Sequence, residues 1–208
     1  MKILAINTSN IEADLCLKNE EKEISKKINS SLKHSESVMV EVDKLLNEEN
    51  LKVLDLDALS LVVGPGSFTG IRIGVAISKG FELANKEMKL ISITSFEYLK
   101  HEFLKTKPNF KEEYVCVFNA LSGKYYVQTF EISEKKQFLT ENLTDITKYK
   151  TIVGLKEENL PFVTHYVSFN SQTLLDIAKK KYLDGKFVSE FVPLYLRKSQ
   201  AEDELDGK

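Results

Sequence analysis

Residues 64 to 74 read Gly64-Pro65-Gly66-Ser67-Phe68-Thr69-Gly70-Ile71-Arg72-Ile73-Gly74, between the apolar run Leu59–Val63 and a long helical pattern. Glycines at a strand-to-helix junction are the usual setting of a phosphate site, because free amides at a helix N-terminus attract anions. Neither phosphate template fits. A Walker A loop needs a Lys after its last glycine, and Gly70 is followed by Ile71. A dinucleotide fingerprint counted from Gly64 and Gly66 puts Thr69 where the third glycine belongs. What remains is a tight turn with close backbone packing: Gly64 and Pro65 stop the strand, Gly66, Gly70 and Gly74 allow close approach, and Ser67 or Thr69 caps the helix.

Other reactive groups are few and scattered. The histidines His34, His101 and His165 have no metal-ligand spacing, and no Gly-x-Ser-x-Gly elbow marks a serine nucleophile. Asn7-Thr8-Ser9 follows the first apolar strand, where phosphotransferases of the actin and hexokinase type carry a metal-binding aspartate. A second strand ends at Phe118 and delivers Asn119, again an amide. Amides bind Mg2+ poorly and cannot serve as general bases, so no catalytic residue, metal or cofactor is expected. The same two residues also read as ordinary turn formers.

The bulk of the chain sets the frame for these groups. With 208 residues and 42% apolar content it can bury a real core, as one large domain or two lobes. Its 29 basic and 31 acidic residues nearly cancel, which leaves no global drive toward nucleic acid or an anionic membrane. Cys16 and Cys116 lie in strand-like runs and read as reduced core thiols. The N-terminal Met1–Ile6 is too short for a signal segment and no run approaches a membrane span, so a cytoplasmic protein is expected.

Periodicity places the elements. Residues 3 to 6, 12 to 18 and 22 to 28 read as an antiparallel meander. A helix from about 35 to 49 gathers Val38, Met39, Val42, Leu45 and Leu46 on one face. The strand at 58 to 63, a helix from about 71 to 86 and a strand at 90 to 93 make a parallel βαβ crossover. Ser95 should cap a helix to about 104, and the charged 105 to 113 marks a boundary between lobes 1–105 and 106–208. The second half opens with another hairpin, 114 to 118 and 125 to 132. Short strands near 137 to 140, 151 to 154 and 166 to 168, a helix from 171 to 182 and a closing segment 191 to 197 follow.

The helix after the glycines is apolar over about half its circumference, through Leu83, Ala76, Gly80, Ile73, Ala84, Ile77, Phe81 and Gly74. Ile71 and Val75 add apolar side chains on the opposite side, among Arg72, Lys79, Glu82 and Lys86. Such a helix is either sandwiched within its own domain or offers a patch to a second protein. Its glycines disfavour helix by up to about 1 kcal/mol each, which close approach of another element would offset.

These residues resemble the TsaB (YeaZ) family, over nearly the whole chain. The most specific match is Gly64 to Gly74, followed by Ala76, Lys79 and Gly80. Ile3-Leu4-Ala5-Ile6-Asn7-Thr8-Ser9, His34-Ser35-Glu36, Ser92-Ile93-Thr94-Ser95-Phe96-Glu97 and Pro193-Leu194-Tyr195-Leu196-Arg197 support it. The resemblance implies an α/β, actin-like (ASKHA, ribonuclease-H-like) two-lobe fold with mixed sheets. It also implies a non-catalytic partner of the enzyme TsaD in making N6-threonylcarbamoyladenosine at position 37 of tRNAs that read codons beginning with A. TsaD would transfer the threonylcarbamoyl group from the adenylate made by TsaC, and the ATPase TsaE and tRNA would join the complex.

In that family the first two helices pair with those of TsaD, and the same surface forms homodimers. The implied contact residues are Val38, Met39, Val42, Leu45, Leu46, Ile71, Arg72 and Val75, with Gly64, Gly66, Gly70 and Gly74 shaping the turn. The chain departs from the family at Asn7 and Asn119, where Asp is usual, and at Leu121, often Arg; these departures speak against nucleotide chemistry of its own. Residues 133 to 190 diverge and carry no implied role. The competing functions are a small actin-fold ATPase or phosphotransferase acting alone, and a protease.

Overall fold

The structure, a computed structural model, describes residues 1–28, 34–130 and 136–196. Strands β1 (Lys2–Asn7), β2 (Ala13–Asn19) and β3 (Lys22–Ile28) form the expected meander. Helix α1 (His34–Glu48) leads to β4 (Ala58–Val62), α2 (Phe68–Ala84) and β5 (Lys89–Ile93), and α3 (Ser95–Thr106) follows. The second series is β6 (Tyr114–Asn119), β7 (Tyr125–Phe130), β8 (Gln137–Thr140), the single-turn α4 (Thr144–Thr147), β9 (Ile152–Leu155), β10 (His165–Val167) and α5 (Ser171–Leu183). Short 3-10 turns at Val53–Asp55 and Lys156–Glu158 carry no periodic signal and escape a sequence reading. The side chains of His34, Ser35 and Glu36, and with them the expected opening of α1 by Ser35, lie outside the described residues, as do the end of the expected hairpin at 131 to 132 and Arg197.

The two sheets repeat one plan. The first runs β3-β2-β1-β4-β5 and the second, read from the other edge, β8-β7-β6-β9-β10. In each, a three-stranded antiparallel meander is extended by two parallel strands. This is the ribonuclease-H-like order, present twice as an actin-like α/β fold requires.

The chain divides into two compact units. Among the described residues one comprises Met1–Tyr98 with Asn170–Pro193, and the other Leu99–Phe169 with residues 194–196. The division read from the sequence follows the chain, 1–105 then 106–208, whereas the first unit also takes α5 from the far end. The physical reason lies in strand pleating. On one face Leu4, Ile6, Leu15, Leu17, Leu59 and Leu61 pack with Val38, Val42, Leu45 and Leu46 of α1 and Phe81 of α2. The opposite face carries Ile3, Ala5, Cys16 and Ile91, fully buried, and α5 packs against β1, β2, β3 and β5. A sheet covered on both faces reads as continuous apolar runs, which is how β1 and β4 read.

Helix termini follow local chemistry. Ser67 caps α2, its hydroxyl accepting the Gly70 amide at 3.2 Å. For α3 the expected cap, Ser95, is corrected to Thr94: Thr94 Oγ1 accepts the Glu97 amide at 3.0 Å while Glu97 Oε2 accepts the Thr94 amide at 2.8 Å, a reciprocal capping box. Ser95 becomes the first helical residue and is free for another contact. β3 lies on a sheet edge, where Lys22 pairs with Glu49 and Lys26 with Glu41. Charged side chains on such an edge discourage pairing with another chain.

In the second unit Val115, Val117, Val127, Ile146 and Ile152 form the core on one face. Phe103, Phe110, Tyr114 and Phe130 cluster on the other, Tyr114 and Phe130 stacked at 4.7 Å.

Candidate functional site

The glycine junction lies on the β1–β2 turn. The Ser67 amide donates to Ser9 O at 2.8 Å, and Thr8 Oγ1 donates to Gly70 O at 2.7 Å. Ser95 joins them: its amide donates to Gly64 O at 2.8 Å and its hydroxyl to Pro65 O at 2.6 Å. A Cβ on Gly66 would stand 2.4 Å from Ser9 O, one on Gly70 1.8 Å from Thr8 O, and one on Gly74 2.7 Å from Leu61 Cδ1. These glycines therefore admit the chain's own backbone and core. Gly64, at φ 109°, supplies the left-handed turn that ends β4. At the start of α2 the amides of Ser67, Gly70 and Ile71 are bonded to Ser9 O, Ser67 Oγ and Ser67 O.

Asn7 lies at the centre of a buried polar chain. Its Oδ1 accepts the Ser9 amide at 3.0 Å and the Ser9 hydroxyl at 2.7 Å, while its Nδ2 donates to Asp14 Oδ2 at 3.2 Å. The other Asp14 oxygen accepts the Ser171 hydroxyl at 2.6 Å, and the Cys16 thiol donates to Ser171 O at 2.9 Å. Asp14 is 3% exposed. Burial pushes its carboxyl above the usual range, against the opposing pull of Ser171, Lys27 and Asn7. Both oxygens have donors, so this group anchors β2 to α5.

Asn119 occupies the corresponding place in the second unit. Its Oδ1 accepts the Leu121 amide at 2.8 Å, and its own amide donates to Glu158 Oε2 at 2.9 Å. Neither asparagine presents a carboxylate. Burial drives both thiols up, Cys16 to about 12 and Cys116 beyond, which leaves them as unreactive core groups. Among the described residues no group of three or more His, Cys, Asp or Glu side chains could hold a metal ion, and no helix is long and apolar enough to cross a membrane.

The partner residues implied by the resemblance separate into two sets. Val38, Val42, Leu45, Leu46 and Ile71 are buried in the first unit, and Val75 is half-buried against the same core. They fix α1 and α2 onto the sheet, and all but Val75 are covered by it, because the apolar stripe of an amphipathic helix is satisfied first by its own domain. Met39, 43% exposed, and Arg72, which lies over the Phe68 ring at 5.1 Å, remain at the surface.

Helix α2 carries two rows of small residues. Gly70, Gly74 and Ser78 face inward with Ile71 and Phe81. Ala76, Gly80 and Ala84 are exposed, with Leu83 beside them at 73% exposure and Ile73 half-buried. Among the described residues a Cβ on Gly80 would meet nothing within 4 Å. On α1, Met39 is joined by exposed Val40, and the two helices pack together. The sequence reading placed Gly80 and Gly74 on one arc; the i, i+4 row Gly70-Gly74-Ser78 was the readable sign of which side approaches the sheet.

Comparison with known proteins fits this arrangement. The family model described as TsaD, tRNA N6-adenosine threonylcarbamoyltransferase, matches residues 26–158. The tRNA threonylcarbamoyladenosine biosynthesis protein TsaB of Bacillus subtilis is 27% identical, covering 89% of this chain and 80% of the relative. That of Escherichia coli is 24% identical over the full length of both. YeaZ from Pseudomonas aeruginosa, 18% identical, superposes with a TM-score of 0.74 over 94% of this chain and 99% of its own, and so shares the fold. The chain belongs to the TsaD family and, within it, to the TsaB (YeaZ) group.

Proposed function

We propose that this chain is a non-catalytic subunit that acts in the cytoplasm by binding and stabilising TsaD for threonylcarbamoyl transfer to adenosine 37 of tRNA. The observation that carries the reading is the outward row Ala76-Gly80-Ala84. A glycine inside a helix costs about 1 kcal/mol relative to alanine, and among the described residues Gly80 has no neighbour that requires it. A second helix crossing at Gly80 would use the gap, with Leu83, Ile73, Met39 and Val40 around it and Arg72 at the rim. Val38, Val42, Leu45, Leu46, Ile71 and Val75 then contribute by holding the two helices in place.

The same face would serve a homodimer when TsaD is absent. TsaE and tRNA would bind only within the assembled complex, in keeping with the near-neutral charge of this chain. Its effect on TsaD would come from binding the competent state more tightly than the incompetent one. Action alone as an ATPase or phosphotransferase is disfavoured by the amide at Asn7, which offers no carboxylate and whose oxygen already accepts the Ser9 amide and hydroxyl.

Gly80→Leu tests the reading. The variant should fold with unreduced thermal stability, because the site is open, yet bind purified TsaD roughly 100-fold more weakly, as loss of a central contact does. Binding equal to wild type by a variant of normal stability would overturn the assigned face.

A further inference from the structure

The two edges of the first sheet are protected differently. β3 carries several charged side chains, whereas β5 has one, Lys89, followed by Leu90, Ile91, Ser92 and Ile93. Lys89 N donates to Asp57 O and Ile93 O accepts Val63 N, both on the β4 side, so by alternation Leu90 and Ser92 turn their backbone groups away from the sheet. An apolar edge of this kind is a template for another strand. The chain covers it with its own far end. Gly185 N donates to Tyr182 O at 3.1 Å and Lys186 N to Lys181 O at 2.9 Å, a Schellman turn with Gly185 at φ 66° that reverses the chain after α5. Val188 then lies antiparallel to Leu90, its amide donating to Leu90 O at 3.0 Å. Lys181 Nζ donates to Ser92 O at 2.7 Å while it pairs with Glu97 at 2.8 Å. Farther on, Phe191 is 3% exposed and joins the core under α1 and α2, whereas α5 covers the opposite face, so the segment passes around the edge of the sheet.

We propose that residues 184 to 191 are an edge guard: this strap occupies the place that β5 of a second copy of the chain would take, and its release opens a two-fold dimer paired strand to strand. A two-fold axis sets β5 antiparallel to its copy, which is the orientation Val188 already has against Leu90. Centred on Ile91, such a pair sets Leu90 opposite Ser92, both with outward backbone groups, and Lys89 opposite Ile93, so no like charges face each other. The strap is lightly held. Residues 184 to 190 are all exposed, and the two pins are the Val188 amide and the buried Phe191 ring. Its other contacts lie at the surface: Phe187 stands edge-on to Tyr182 at 5.7 Å, and Glu190 is 3.8 Å from Lys79, an exposed pair that adds little. The guard does not depend on the face assigned to α2.

The test is sedimentation equilibrium on the full chain. The double variant Val188→Pro with Phe191→Ala removes both pins and should self-associate at least about tenfold more tightly than the wild type. Hydrogen exchange at the Leu90 and Ser92 amides of that variant should slow as its concentration rises, because pairing covers them. The gain should persist when Gly80→Leu is added, which separates it from association through α2. Val188→Pro alone leaves Phe191 and the core in place; it carries the test if the double variant folds poorly, with a smaller gain in the same direction. Self-association equal to wild type by the folded variant overturns the proposal. So does association that leaves the Leu90 and Ser92 amides unprotected, or that Gly80→Leu abolishes.

Discussion

A single amide shows how residue type and surroundings decide chemistry. Asn7 stands where a carboxylate would serve a metal-nucleotide, and its Nδ2 bonds to Asp14, a buried carboxyl 3.2 Å away. Asn7→Asp would set two carboxyls against each other and should cost about 2–4 kcal/mol at neutral pH, because one must stay protonated or both must share a buried charge. The sign follows from linkage: the pair raises a folded-state carboxyl pKa, so the penalty is small in acid and grows as pH rises through that value. The swap Asn7→Asp with Asp14→Asn restores one carboxyl facing one amide and should return to within about 1 kcal/mol of the wild type. Chemical denaturation at two pH values measures this; a single variant as stable as wild type at neutral pH would refute the assigned network. That Asn7 places an amide at the end of the first strand was legible from the sequence. Asp14 was not, since it sits in an alternating strand and its partner Ser171 is 157 positions away.

At the level of elements, the contrast between the two small-residue rows of α2 gives the sharpest test. Gly74→Ala places a methyl 2.7 Å from Leu61 Cδ1 and 2.8 Å from Thr8 Oγ1. It should lose about 1–3 kcal/mol by overpacking. Gly80→Ala meets open space and should gain about 0.5–1 kcal/mol from helix propensity alone. Thermal melts of the two variants should therefore move in opposite directions; a destabilised Gly80→Ala would mean that its face is already covered. Periodicity revealed that α2 was apolar over about half its circumference, yet it could not rank the sides, because Ile71 and Val75 blurred the wheel. Packing ranked them: the inward side is the one whose glycines meet the Thr8 carbonyl and the Leu61 side chain.

At the scale of the molecule, the first unit depends on a helix delivered from the far end of the chain. Leu174, Leu175, Ile177 and Ala178 of α5 are buried, and Phe191 joins the core on the other side of the sheet. At about 1.5–3 kcal/mol for each large apolar side chain, losing α5 removes an amount comparable to the stability of an entire domain. A chain ending at residue 169 should therefore lose its cooperative thermal transition or be recovered as aggregate. A soluble fragment that melts like the full chain would show that α5 is dispensable.

By itself, the sequence determined the order of the strands and of every helix but the single-turn α4, the absence of a phosphate-binding or metal-ligand pattern, and the family, because these rest on local spacing and on the residues flanking the glycines. Tertiary structure decided which apolar side chains are spent on the chain's own core. Val38, Val42, Leu45, Leu46 and Ile71 carry the same pattern as a docking surface would, and only the sheet beneath them makes them interior. It also decided the division into units, since α5 joins the first sheet through contacts that no local signal encodes. Periodicity records that a face is apolar; what covers that face is fixed by residues distant in the chain or in another molecule.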